Sequence, residues 1–230
     1  MTKTKIEEFA KEDYTKYKHD FDGFSHSTFE EYSRQGFFEC YVQTLYFKNW
    51  KEGLNSINVD TLNCILDELH HDINSSYYLA TIGLYRTSNM HLRSMIELSL
   101  QLVYFYEHPI EFLKWKEGNF VIKHDVLSDY IKTHPIFVSQ EQKTAISTLM
   151  EQITEKWRFY SKHIHAESLT YFQTQRKSAE KNEFTIADFG RWKSNYIKTT
   201  KKINNLLLLF FANELKRFPS NNKDLIKIDI

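Results

Sequence analysis

Residues 77–107 have the sequence YYLATIGLYRTSNMHLRSMIELSLQLVYFYE and form the longest periodic stretch of the chain. Large side chains recur in it every three or four positions, which is the spacing of one face of an α-helix. The positions on this stripe are Tyr78, Ile82, Tyr85, Asn89, Leu92, Ile96, Leu100 and Val103. Pro109 ends the stripe, because a proline pushes the preceding residue out of the helical region. The stretch therefore predicts one long helix over 77–107.

Two more helices are predicted before this stretch. Thr28 and Glu31 have the spacing of a capping box, in which each side chain accepts the other residue's backbone N–H. This box opens an apolar-periodic segment that runs to Trp50, and Gly53 is predicted to close the helix. Asp60 is expected to cap the second helix.

The run 70–76, HHDINSS, separates that second helix from the long stretch. Its polarity predicts a break or a solvated turn. His70, His71 and Asp72 do not include the i,i+4 pair of ligands that a helical metal site uses. We therefore interpret these three residues as a polar helix end.

On the carboxyl-terminal side the helix signals continue. Ser139 with Gln142 forms a second capping box, and Thr185 with Asp188 resembles a capped helix start. The predicted helices cover 109–118, 121–132, 140–164 and 186–217, and the best loop candidate is 166–183. Pro219 is expected to stop the last helix.

Few turn-forming residues are present, with only six Gly and three Pro in 230 residues. Such scarcity favours a few long elements over a many-stranded sheet, so the sequence predicts an all-α fold. We expect a flexible or peripheral segment at 1–26, one helical domain at 27–218 and a carboxyl-terminal tail at 219–230.

Charge and cysteine content narrow the protein class. The 30 Lys and Arg balance the 30 Asp and Glu, so net charge does not favour nucleic acid or membrane as a partner. Cys40 and Cys64 are interpreted as buried and reduced. The amino terminus lacks an apolar signal segment, and the longest apolar run, 206–212, is too short to span a bilayer. The sequence therefore predicts a soluble, cytoplasmic protein without a membrane partner.

Residues 158–165, RFYSKHIH, combine a permanent cation with two imidazoles. His moves protons near neutral pH, and Arg binds phosphate through a planar fork of donors. On a continuous helix Arg158 and His165 differ by only about 20° in azimuth, whereas His163 is rotated by about 140° from Arg158. Helical phase therefore favours His165 as the partner of Arg158. The alternative is that these residues only interact with the helix dipole or with solvent.

A second charged group lies inside the long stretch, where Glu97 follows Arg93 by four positions. This spacing permits an ion pair on one helix face. Leu92 and Ile96 beside it belong to the apolar stripe, so Arg93 is expected at the edge of the buried face. An Arg-Glu pair in that position is expected to orient other groups.

Taken together, these segments resemble the HEPN superfamily of small all-α proteins. The likeness covers roughly residues 60–215, and its strongest element is an Arg followed after four to six residues by a His. Arg158 meets it with His163 or His165, and Phe159 departs from the polar residue that many members have after the Arg. Two looser likenesses are the segments 92–97 (LRSMIE) and 157–165 (WRFYSKHIH), which resemble HEPN-like proteins of bacterial defence and toxin loci.

The resemblance implies a helical bundle with metal-independent endoribonuclease activity and no cofactor. It implies a homodimer with RNA as substrate, acting as a toxin or antiviral effector, and an antitoxin or defence-system protein as partner. Carried over, Arg158 binds the phosphate, and His165 or His163 is the general acid or base. Ser161 and Tyr160 would orient the substrate or the imidazole, and Arg93 and Glu97 would hold the motif in place without taking part in a chemical step.

Two other functions fit the same sequence. One is a non-catalytic HEPN-like interaction or dimerisation module that binds a partner protein, a nucleotide or RNA; neutral net charge and Phe159 favour it. The other uses the lysine-rich segment 193–202 as a nucleic-acid-binding surface, although a solvated helix face also explains that segment.

Overall fold

The computed structural model describes residues 11, 12, 15, 37–59, 61–172 and 185–227, and within them every long element is an α-helix. The helices are α1 (Phe37–Ser56), α2 (Asn63–Thr81), α3 (Tyr85–Glu107), α4 (Pro109–Lys116), α5 (His124–Lys132), α6 (Gln140–His165), α7 (Ile186–Phe210), α8 (Ala212–Lys216) and α9 (Ser220–Ile226). One turn of 3₁₀-helix, Leu169–Tyr171, follows α6. The predicted all-α class is confirmed. Thr28, Glu31, Asp60 and most of 1–26 lie outside the described residues.

The single helix predicted over 77–107 is wrong, because the chain breaks it at Gly83. This glycine has a φ of 75°, a left-handed backbone conformation that residues other than glycine rarely adopt. The run 70–76, for which a break was predicted, is instead continuous helix inside α2. Its polar side chains fit a helix because Asp72 and Ser76 are bonded to α3, which only the tertiary structure supplies.

Helix α3 is the centre of the fold and runs antiparallel to both α2 and α6. On one side Ser88 Oγ donates to the Ser76 carbonyl at 2.7 Å, and His91 Nδ1 lies 2.7 Å from Asp72 Oδ1. On the other side Arg86 Nε donates to the His163 carbonyl at 2.9 Å, and Arg93 Nε donates to Ser161 Oγ at 3.1 Å. The pairing of low with high residue numbers establishes both antiparallel directions.

Local capping determines where several helices begin. The predicted Ser139–Gln142 capping box is confirmed in both directions, and Thr185 Oγ1 accepts the Asp188 N–H at 3.2 Å. Helix α5 begins at His124, three residues later than predicted, since Lys123 is extended. Such caps satisfy backbone donors that a helix start would otherwise leave unpaired.

Helix α7 ends at Phe210 and not at the predicted residue 217. Phe211 leaves the helical path, and its ring is fully buried. It packs edge-on against Tyr106 at 5.0 Å and tilted against Trp50 at 5.9 Å. The chain therefore turns at Phe211 to bring an aromatic ring into the core before α8 begins.

The segment that the sequence separated as a tail, 219–230, contains α9, which packs on α1. Asn222 Nδ2 donates to Asn49 Oδ1 at 2.9 Å, and Asn204 Nδ2 donates to the Ile226 carbonyl at 2.8 Å. Ile226 has no exposed surface. Residues 219–226 are thus part of the packed structure.

The two thiols have different surroundings. Cys40 is buried, and burial raises the pKa of its thiol to about 12. Cys64 is exposed, so its predicted burial is wrong. Its neighbours Ile65 and Leu66 are buried and hold the inward face of α2. Among the helices that the structure describes, none combines the length and the apolar character needed to cross a membrane.

Candidate active site

The second half of α6 carries Arg158 and His165, and both side chains are exposed. Positions seven apart on a helix lie within about 20° in azimuth and are separated by about 10 Å along the axis. The two groups therefore face solvent on the same side of α6. Both groups are accessible to a ligand from solvent.

His163, the other candidate imidazole, lies inside the protein with 2% of its surface exposed. Its Nε2 is 3.4 Å from Asn89 Nδ2 on α3. Phe159 and Tyr171 meet its ring edge-on at 5.3 Å and 5.0 Å. His163 consequently anchors the end of α6 to α3, and it does not share the face of Arg158.

Arg93 and Glu97 join α3 to the segment of α6 that carries Arg158. Arg93 Nη2 lies 2.9 Å from Glu97 Oε1, and Arg93 Nε donates to Ser161 Oγ at 3.1 Å. Trp157 Nε1 donates to the same Glu97 oxygen at 2.8 Å, and Ser161 Oγ donates to the Trp157 carbonyl at 2.8 Å. The four residues form a closed network, which contains the ion pair that the spacing of Arg93 and Glu97 permits.

His124, at the start of α5, belongs to this site although the sequence did not indicate it. Its ring stacks on Trp157 with centroids 4.3 Å apart and planes 11° apart. Its Nε2 is 3.1 Å from Thr154 Oγ1. The residue lies 33 positions before Trp157 in a separate helix, so no local spacing links the two.

Burial lowers the pKa of the His124 imidazole below its ordinary value. The carboxylates of Asp125 and Glu97 oppose this effect, because they favour the charged ring. The guanidinium groups of Arg158 and Arg93 lower the pKa further. Two cations near His124 disfavour a third positive charge on its ring. The lowered pKa therefore favours the neutral imidazole as the stacking partner of Trp157.

Tyr160 is fully buried and faces α7. Its hydroxyl is 2.7 Å from Thr199 Oγ1 and donates to the Asn195 carbonyl at 3.2 Å. Burial raises the pKa of this phenol. Tyr160 is therefore out of reach of a substrate, because its helical phase turns it into the core.

A second imidazole with an orienting carboxylate lies on the other flank of α3. His91 Nδ1 is 2.7 Å from Asp72 Oδ1, with 28% of the His91 side chain and 4% of the Asp72 side chain exposed. His71 meets the His91 ring edge-on at 6.5 Å. The sequence interpretation of Asp72 as part of a polar helix end is wrong, because α3 covers it. The sequence signal for this pair is the position of Asp72 on the same helix face as the buried Leu69 and Ile73.

Within the described residues, no group of three or more His, Cys, Asp or Glu side chains could hold a metal ion. The candidate site thus consists of Arg158 and His165 at the surface, supported by the network of Arg93, Glu97, Trp157 and Ser161. In comparisons with known proteins, the chain matches no family model, no curated protein and no solved structure.

Proposed function

We propose that this protein is a metal-independent endoribonuclease of HEPN type that acts as a toxin or antiviral effector. The observation that carries the proposal is the exposure of Arg158 and His165 on one face of α6, beside a network that anchors this helix to α3. Cleavage through a ribose 2′-hydroxyl requires proton transfer and charge stabilisation, which an imidazole and a guanidinium can supply.

In the proposed reaction His165 removes the proton of the 2′-hydroxyl, and the oxygen attacks the adjacent phosphorus. Arg158 stabilises the negative charge that develops on the phosphate oxygens. The bond to the 5′-oxygen breaks, and this oxygen leaves with a proton. The products are a 2′,3′-cyclic phosphate and a 5′-hydroxyl. In a homodimer the second copy contributes another His165 as proton donor.

Arg93 and Glu97 act as positioning residues in this proposal. Glu97 accepts from Trp157, the residue before Arg158, and Arg93 donates to Ser161, three residues after it. These bonds limit rotation of α6 about its axis. They also keep the positive charge of Arg93 paired beside a phosphate-binding Arg158.

We expect purified protein to cleave RNA in the presence of a chelator and to leave DNA of the same sequence intact, because DNA lacks the 2′-hydroxyl. Arg158→Ala and His165→Ala should each lower the cleavage rate by about 10²-fold or more, since proton transfer and charge stabilisation each contribute on that scale. The measurement is the rate of product formation from labelled RNA, with growth arrest on expression as a cellular readout.

Two matched variants serve as controls. Arg217→Ala and His71→Ala remove an exposed Arg and an exposed His elsewhere on the surface, and both should cleave at the wild-type rate. The proposal is contradicted if Arg158→Ala keeps full activity or if the wild-type protein leaves RNA intact. Circular dichroism verifies that each variant retains its helices.

A non-catalytic interaction module is the second candidate function. Its support is that His165, among the described residues, has no hydrogen-bond partner to orient its ring, whereas His91 has Asp72. A double Arg158→Ala, His165→Ala variant that keeps full biological activity would favour this candidate over the ribonuclease.

A further inference from the structure

Helices α6 and α7 run antiparallel and form a groove on the flank of α6 away from Arg158. Lys156 Nζ donates to Asn195 Oδ1 at 2.8 Å, and Lys202 Nζ donates to Gln152 Oε1. Lys198 lies between Asn195 and Lys202 on α7 and is exposed. We refer to Lys156, Lys198 and Lys202 as the lysine cluster.

The lysine cluster holds more positive charge than its neighbours neutralise. Among the described residues, no carboxylate lies within 4.0 Å of these three ammonium groups, whereas Lys51 and Lys193 each have one. Lys156 and Lys202 donate instead to neutral side-chain amides. The cluster is therefore open to an anionic ligand.

The three ammonium groups of the cluster lie close enough to affect one another. Burial lowers the pKa of Lys156, and the charges of Lys198 and Lys202 lower it further. The carboxylate of Glu155 opposes this effect, although it forms no ion pair with Lys156 in the part of the chain that the structure describes. Like charges held together are unfavourable in the absence of a counter-ion, so a bound anion would relieve the repulsion.

An apolar cavity of about 600 Å³, widely open to solvent, continues the groove toward the start of α6. Leu149 and Ala145 line it from α6, and Leu208 and Leu209 line it from α7. Polar edges come from Thr148, Gln152 and Asn205. Gln152 also accepts from Lys202, so the cavity and the lysine cluster share a residue. An apolar pocket with a few polar groups at its rim suits a nucleobase.

We propose that this groove binds single-stranded RNA, with backbone phosphates on the lysine cluster and an unstacked base in the apolar cavity. The identity of the ligand as RNA rests on the proposed function. A duplex does not fit, because its bases are paired and stacked and cannot enter a cavity. Lys156 and Arg158 are two positions apart, about 200° around α6, so the groove holds the strand and takes no part in bond cleavage.

The test is binding of a fluorescein-labelled 2′-O-methyl oligouridylate, which cannot be cleaved, followed by fluorescence anisotropy over a salt series. We expect a triple Lys156→Gln, Lys198→Gln, Lys202→Gln variant to bind at least tenfold more weakly. A plot of log affinity against log salt should become less steep by about 2, because three phosphate contacts are lost and each contributes about 0.7 on a single strand. A triple Lys114→Gln, Lys143→Gln, Lys216→Gln variant, which removes exposed lysines elsewhere, should bind like wild type.

A second variant separates the apolar cavity from the charge. Ala145→Phe places a ring in the cavity and should weaken binding severalfold without changing the salt slope. Absence of binding by the wild type, or wild-type binding by the lysine-cluster variant, overturns the inference. A dimer that Ala145→Phe dissociates in sedimentation also overturns it, since a second copy would then occupy the groove.

The inference and the proposed function can fail separately. If RNA binds through the lysine cluster but is never cleaved, the groove stands and the ribonuclease proposal fails. If RNA is cleaved through Arg158 at a rate and with an affinity that do not depend on the lysine cluster, only the groove inference fails.

Discussion

Trp157 connects the charged and the aromatic parts of the candidate site. Its Nε1 donates to Glu97, and its ring stacks on His124. The centroid of the ring lies 5.3 Å from the guanidinium carbon of Arg93. A half-buried Glu that loses a hydrogen-bond donor keeps the cost of its desolvation without the compensating bond. Trp157 should therefore contribute both to stability and to the orientation of α6.

A double-mutant cycle on Glu97 and Trp157 tests this view. Trp157→Phe removes the donor, and Glu97→Ala removes the acceptor together with the charge that pairs with Arg93; each should lower the free energy of unfolding by about 1–3 kcal/mol. Because the residues are in direct contact, their coupling energy should be about 0.5–3 kcal/mol in urea unfolding. Additive single effects would show that the 2.8 Å bond is not formed in solution.

At the scale of elements, two helical glycines have different surroundings. Gly53 in α1 faces the Phe218 ring, and a Cβ added there would lie 2.2 Å from two of its carbons. Gly190 in α7 has no atom within 4 Å of an added Cβ among the described residues. Gly53 does not close α1, which continues to Ser56; it makes room for the aromatic ring before α9.

Replacement of each glycine by alanine should change stability in opposite directions. Gly53→Ala forces the ring or the helix to move and should cost about 1–3 kcal/mol. Gly190→Ala only restricts the unfolded chain and should add about 0.5–1 kcal/mol. Thermal and urea unfolding measure both. A second change, Phe218→Leu, should recover part of the loss in Gly53→Ala; equal effects of the two alanines would contradict the close contact.

At the scale of the whole molecule, two histidines on different helices couple stability to pH. Burial lowers the pKa of His70 and of His124 below the ordinary value of 6.5. The charges of Lys48 and Lys51 add to the shift of His70. Between the folded and the unfolded pKa values, the unfolded chain binds more protons than the folded protein.

The free energy of unfolding should therefore be constant with respect to these two groups above pH 6.5 and should fall as the pH drops below it. The fall should level off once the pH is below the lowered folded pKa values. In a His70→Gln, His124→Phe variant this part of the curve should be shallower, as measured by urea unfolding between about pH 7 and pH 5. An unchanged slope would contradict the lowered pKa values.

The sequence by itself determined the all-α class, the capped starts of α6 and α7, and the common face of Arg158 and His165. Each of these depends on signals within one or two helical turns, namely the spacing of apolar residues and a cap that bonds a residue three positions on. The spacing of Arg93 and Glu97 likewise predicted their ion pair. Local geometry is sufficient for such features.

Only the tertiary structure decided that Asp72 is buried against His91, that His163 belongs to the interior, and that His124 stacks on Trp157. It also decided that Gly53 accommodates Phe218. In each case the contacting residues come from different helices, and helical phase alone does not specify which helix covers a given face. Burial, paired charge and stacking are properties of packed surfaces, so they arise when the helices assemble.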